Sequence, residues 1–190
     1  LPIGFDIVAS ARQPQSDADF RAWLGTRIED EPTAADLSTA DIRALLERIR
    51  YIDADGGDPG DVARAFAPCA GRPSVAYLAT PPSLFVPIAT GLADAGVLAA
   101  PSRLVLEKPI GSDLASARAI NAAIGARIDE DRIYRIDHYL GKAPVQNLLA
   151  MRFGNTLLEA VWDKRWIESV DILVAETAGA NDRIGYYGKY

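Results

Sequence analysis

The chain has 190 residues, 49% of them hydrophobic and 24% charged, with a formal net charge of −6. That length can bury a sizeable core, and the acidic balance excludes partners that need a basic face, nucleic acid and anionic membrane surfaces among them. Apolar runs such as SVAYLAT are too short to span a bilayer, no signal-like segment opens the chain, and Cys69 has no second cysteine to pair with; a cytoplasmic location is the default expectation.

Residues 5–11 (FDIVASA) read as a buried strand. Ser16 and Asp19 frame a capped helix start that continues through FRAWLGTRIE. Ile42, Leu45, Leu46 and Ile49 recur at helical spacing and predict a helix over residues 41–50. The stretch DADGGDPG is a turn-rich loop, with Asp58 as N-cap and Pro59 at the first helical position. Residues 75–79 predict a strand and residues 82–95 a helix, followed by a strand over 104–107. The alanine-rich residues 113–128 predict a helix with Ser112 as N-cap.

This alternation implies an α/β fold, a Rossmann-like doubly wound parallel sheet with helices on both faces. The pattern changes at Gly141, where a helix (APVQNLLAMRF), then LLEAVW, then a strand over residues 169–175 suggest entry into a second domain. Nucleotide-binding domains of this kind open with a strand and a Gly-rich turn that holds the pyrophosphate at a helix N-terminus. None occurs here, so FDIVASA reads as the second strand of such a domain.

RIYRIDHYLGK gathers Arg132, Arg135, His138 and Lys142 around Asp137 and two tyrosines. Asp137 and His138 are sequence neighbours and point apart, so they serve different partners rather than form a dyad. By themselves these residues read in two ways. His138, Tyr139 and Lys142 converge on a phosphate if Gly141 lets the chain turn, or the segment is a helix N-terminus with surface cations. Arg12 alone reads equally as a solvated strand-end cation.

RIDHYLGK followed by VQNLL closely resembles the signature of glucose-6-phosphate dehydrogenases, and YLATPP, LEKPIGSDLASA and VAETAG occur around it in that family's order. The resemblance covers almost the whole chain. It implies oxidation of D-glucose 6-phosphate to 6-phosphoglucono-δ-lactone with NADP as hydride acceptor, the opening step of the oxidative pentose phosphate pathway. It assigns Asp137 to catalysis, as the carboxylate that orients a distant proton-accepting histidine. Lys108, His138, Tyr139, Lys142 and Glu176 become substrate-binding residues, and Arg12, Ala79, Thr80, Pro81 and again Lys108 line the cofactor. Arg12 then reads the ribose 2′-phosphate, which favours NADP over NAD, and a cis bond is implied before Pro109. No metal is implied.

The resemblance further implies residues 1–140 as an NADP-binding domain without its first strand and Gly-rich turn. Residues 141–190 become the start of a substrate and dimerisation domain of α+β type, built on a large antiparallel sheet. The full-length protein is expected to be a homodimer or homotetramer, and the 190 residues to be an incomplete, inactive portion. The family's base histidine, expected after the GYY motif, does not occur. Two other readings stand beside this one: a non-catalytic sugar-phosphate-binding fragment or pseudoenzyme, and an inositol-dehydrogenase-type NAD(P) oxidoreductase, which also carries ATPP and EKP but against which DHYLGK speaks.

Overall fold

The small and β-branched residues IVASA form strand β1 (Ile7–Ala11) in the computed structural model, which describes residues 4–31 and 36–173. Helix α1 (Asp17–Glu29) starts where expected, with the Ser16 hydroxyl accepting from the Asp19 backbone N–H at 3.1 Å. The helix expected over residues 41–50 divides in two. Helix α2 (Thr39–Leu46) opens with a reciprocal cap between Ser38 and Asp41, and strand β2 (Ile49–Asp53) follows almost at once. The Glu47 and Arg48 N–H groups bond back to Arg43 and Leu45 and close the helix. Beyond them Ile49, Tyr51 and Ile52 pair in parallel with Ile7, Ala9 and Ser10, where β-branched and aromatic residues are favoured.

Asp58 caps helix α3 (Pro59–Phe66) by accepting from the Gly60 and Asp61 N–H groups, with Pro59 in the first turn as expected. Strand β3 (Val75–Leu78) leads through a 3₁₀ turn at Pro82–Leu84 into helix α4 (Phe85–Asp94). After strand β4 (Arg103–Glu107), helix α5 (Leu114–Gly125) is capped by Asp113 and not by Ser112. The Asp113 carboxylate accepts from the Ser116 N–H at 2.7 Å while the Ser116 hydroxyl accepts from the Asp113 N–H, a two-way exchange that a hydroxyl one residue earlier is not placed to make. Strand β5 (Ile133–Ile136) and helices α6 (Ala143–Phe153) and α7 (Thr156–Val161) complete the elements among the described residues.

Among the described residues all strand pairs are parallel. β1 pairs with β2, and β4 lies between β3 and β5. β1 and β3 do not pair; a cleft of about 1100 Å³ separates them, lined along the length of both strands. Because β1→β2 and β3→β4→β5 run outward in opposite directions from this cleft, right-handed crossovers put α1 and α2 on one face and α3, α4 and α5 on the other. That is the doubly wound arrangement.

The core lies under the second face. Leu104 and Leu106 of β4 are fully buried against Phe85, Ile124 and Ile128, burial worth about 1.5–3 kcal/mol per side chain. Gly91 lets α3 and α4 touch closely, since a Cβ there would lie 2.5 Å from the Pro59 carbonyl oxygen and 2.6 Å from the Val62 Cβ. On the opposite face Val75, Tyr77 and Tyr134 remain exposed.

No strand forms over residues 169–173, where Val170, Ile172 and Leu173 stand exposed. Among the described residues no neighbouring strand accepts their hydrogen bonds, and an isolated extended segment is not stable as a strand. Residues 174 and 175 lie outside the described residues, and none of the expected antiparallel sheet is present among those described.

Candidate functional site

Parallel strands in register bring their carboxyl ends to one edge, where ligands bind in open α/β sheets. Glu107 sits opposite Ile136, so the next residues, Lys108 and Asp137, emerge side by side. The Lys108 ammonium lies 2.7 Å from Asp137 Oδ2. The other oxygen, Oδ1, accepts from the Tyr139 backbone N–H at 3.0 Å. The bond from Lys108 holds the Asp137 carboxyl below the usual carboxylate range, and the Tyr139 N–H and the positive charge of Lys108 act the same way.

Tyr139 gathers the cations. Its ring carries the Lys142 ammonium at 4.3 Å and the Lys108 ammonium at 5.8 Å from the centroid, and the His138 ring lies 4.8 Å away. Lys142 is the N-cap residue of α6, its carbonyl accepting from Val145 and Gln146. Among the described residues it has no carboxylate partner. The turn over residues 137–142 is closed by hydrogen bonds from the Leu140 and Lys142 N–H groups to Asp137 and Tyr139. It does not depend on Gly141. That residue is not at positive φ, and a Cβ there would meet the His138 carbonyl oxygen at 3.5 Å, an ordinary contact.

The other cations of RIYRIDHYLGK are committed to structure. Arg132 donates to the Leu98 and Ser102 carbonyls at 2.8 and 3.1 Å, and Arg135 to Glu130 at 2.6 Å and Asn121 at 2.7 Å. His138 and Lys142 are left at the edge with Lys108, all three exposed.

Arg12, Ala79 and Thr80 lie together on the cleft between β1 and β3, just past the carboxyl ends of those strands. Pro81 stands beside them as the N-cap of the 3₁₀ turn and does not line the cleft. The Thr80 hydroxyl is buried without a hydrogen-bond partner among the described residues. An orphaned hydroxyl and an exposed arginine at the carboxyl ends of parallel strands fit a ligand that brings both acceptors and negative charge. The peptide bond between Lys108 and Pro109 is cis, as is that between Ala100 and Pro101. Glu176 lies outside the described residues.

Two pairs went unread in the sequence. The Tyr77 hydroxyl donates to the Glu107 carboxylate across β3 and β4, which raises the tyrosine's pKa; Tyr77 and Val105 share a register position, and that pairing is the signal that places Glu107 within reach. Tyr51 also approaches the segment that carries Arg12, and β2 was hidden inside an expected helix.

The doubly wound parallel strands, with Arg12, Thr80 and the Lys108–Asp137–Tyr139 cluster at their carboxyl ends, define the class of dinucleotide-binding α/β domains. The chain belongs to the glucose-6-phosphate dehydrogenase family. Residues 1–147 match the family model "Glucose-6-phosphate dehydrogenase, NAD binding domain" and residues 149–190 match "Glucose-6-phosphate dehydrogenase, C-terminal domain". The glucose-6-phosphate 1-dehydrogenase of Zymomonas mobilis is 42% identical over 185 residues, covering 95% of this chain and 38% of the relative. That of Mycolicibacterium smegmatis is 42% identical over 190 residues, with the same coverage. The crystal structure of glucose-6-phosphate 1-dehydrogenase from Mycobacterium avium superposes with a TM-score of 0.70 at 35% identity, over 84% of this chain and 35% of that one. A glucose-6-phosphate dehydrogenase in complex with its substrate glucose-6-phosphate gives 0.65 at 32% identity, over 84% and 35%. The chain thus spans little more than a third of the length of these relatives. The matched model supports a nicotinamide cofactor. No helix among the described residues is long and apolar enough to cross a membrane.

Proposed function

We propose that these residues form part of the cofactor-binding edge and part of the sugar-phosphate edge of an NADP-dependent glucose-6-phosphate dehydrogenase, which oxidises D-glucose 6-phosphate to 6-phosphoglucono-δ-lactone in the cytoplasm. The observation that carries the reading is the convergence of Lys108, Asp137, Tyr139 and Lys142 at the adjacent ends of β4 and β5. A phosphate dianion wants several charged donors, and Lys142 and His138 supply them at the rim. Lys108, at the end of β4 between β3 and β5, would face both the sugar and the nicotinamide. Arg12 and Thr80 would hold the adenosine side of NADP, whose nicotinamide accepts the hydride. Asp137 orients and stabilises the base that takes the proton from the sugar hydroxyl. Glu176 hydrogen-bonds sugar hydroxyls. Residues 1–140 form the cofactor domain and 141–190 open the substrate and dimerisation domain of a homodimer or homotetramer.

Kinetics of an active protein carrying these residues test the division of labour. Lys142→Ala is expected mainly to raise KM for the sugar phosphate, because it acts far from hydride transfer. Asp137→Asn is expected mainly to lower kcat, because it weakens the charged base. The reverse pattern would exchange the two assignments.

A further inference from the structure

The segment between β1 and α1 carries Arg12 and is held at two points by one residue of the neighbouring strand. The Tyr51 hydroxyl donates to the Gln13 carbonyl at 2.6 Å and lies 3.3 Å from the Ala11 carbonyl, so it brackets Arg12 on both sides. The Tyr51 backbone N–H donates to Asp17 Oδ1 at 2.7 Å, in the first turn of α1. The Tyr51 ring packs on Phe20 of α1 with centroids 4.8 Å apart, and α1 is tied to the same strand by the Arg21 guanidinium bonding the Ile49 carbonyl at 2.7 Å. Both ends of the loop over residues 12–16 are thereby fixed to β2. Arg12 itself is exposed and, among the described residues, has no ion-pair partner.

An arginine discriminates between ligands only if its guanidinium is delivered to one place, since a rotamer-rich side chain on a mobile backbone loses more entropy on binding. We propose that Tyr51 is a positioning residue for cofactor choice: its hydroxyl fixes the backbone on either side of Arg12 and aims the guanidinium at the 2′-phosphate of the adenosine ribose. This rests on the reading of Arg12 given above. The hydroxyl acts through carbonyl oxygens, so its removal alters aim without altering charge.

The test uses the 190-residue chain and the adenosine half of the cofactor. Affinities for adenosine 2′,5′-bisphosphate and adenosine 5′-monophosphate are measured by titration calorimetry for the parent chain, Tyr51→Phe, Arg12→Ala and Phe20→Leu, with thermal midpoints alongside. The parent chain is expected to prefer the bisphosphate. Tyr51→Phe keeps the ring contact with Phe20 and is expected to cut that preference about three- to tenfold, the loss of one hydrogen bond, at unchanged affinity for the monophosphate. Phe20→Leu loosens packing but leaves the hydroxyl, so it should lower the thermal midpoint and spare the preference. If Tyr51→Phe keeps the full preference, or Phe20→Leu erodes it equally, the positioning role is wrong while Arg12 keeps its own. If the parent chain shows no preference, or binds neither nucleotide, or if Arg12→Ala leaves the preference intact, the reading of Arg12 fails and the role of Tyr51 falls with it.

Discussion

The Lys108 ammonium and the Asp137 carboxylate form a 2.7 Å ion pair across the ends of β4 and β5. Both residues directly follow strands locked in register, so the backbone ladder sets their separation before any ligand arrives. Asp137 is therefore already ionised and oriented, and Lys108 is held at the end of β4 beside Asp137 and the Tyr139 ring.

This pair gives stability a defined pH dependence. The carboxyl of Asp137 has a lower pKa in the folded chain than in the unfolded one, chiefly because of the bond from Lys108. Its contribution is full above the unfolded value of about 3.9 and is lost as pH falls through the depressed folded value. Urea unfolding of the parent chain and Asp137→Asn should differ by a constant amount from neutral pH down to about pH 5, and the curves should converge in stronger acid. A difference that grows on acidification would contradict the assignment. Because both side chains are partly exposed, the gap should also shrink in high salt.

Packing of the cofactor half depends on Gly91. A methyl group there would enter the space of the Pro59 carbonyl and the Val62 side chain, and the obstacle is backbone, which cannot rotate away. Gly91→Ala is expected to destabilise the chain by about 1–3 kcal/mol, read as a lower urea midpoint. An unchanged midpoint would show that α3 and α4 have room to separate.

Much of this organisation is legible in the residues, and the failures have physical causes. Ser16 and Asp58 cap helices where their side chains promise, because caps are local chemistry. β2 was hidden because Ile49 extends the helical spacing of Ile42, Leu45 and Leu46, while its true partner, Ile7, is distant in sequence. The bond that β2 then provides, from Tyr51 to the Arg12 loop, was invisible for the same reason. In RIYRIDHYLGK composition alone does not separate Arg132 and Arg135, which hold carbonyls and acids of the fold, from His138 and Lys142, which stay exposed at the rim against Tyr139. The strand expected from residue 169 does not form over residues 169–173, because an apolar run does not by itself supply a partner.

The 190 residues taken alone are expected to show no dehydrogenase turnover. Hydride departure requires a base for the hydroxyl proton, and general-base help is typically worth about 10²–10⁴-fold. The sequence holds one histidine, His138, which sits against Tyr139 at the cation cluster. Asp137 already accepts from Lys108 and Tyr139. The check is formation of reduced cofactor from NADP and glucose 6-phosphate by the purified chain. Turnover near about 1–10³ s⁻¹, the ordinary enzymatic range, would mean that the base lies within these residues.

The cluster at the ends of β4 and β5 is expected to hold the phosphate of the sugar. Titration calorimetry of the 190-residue chain with glucose 6-phosphate, with glucose as comparator, tests it most directly. The phosphate ester should bind and glucose should not, and Lys142→Ala should weaken the ester's affinity by about tenfold or more, as for one lost charged hydrogen bond. Equal binding of the two sugars, or an affinity indifferent to Lys142→Ala, would contradict it.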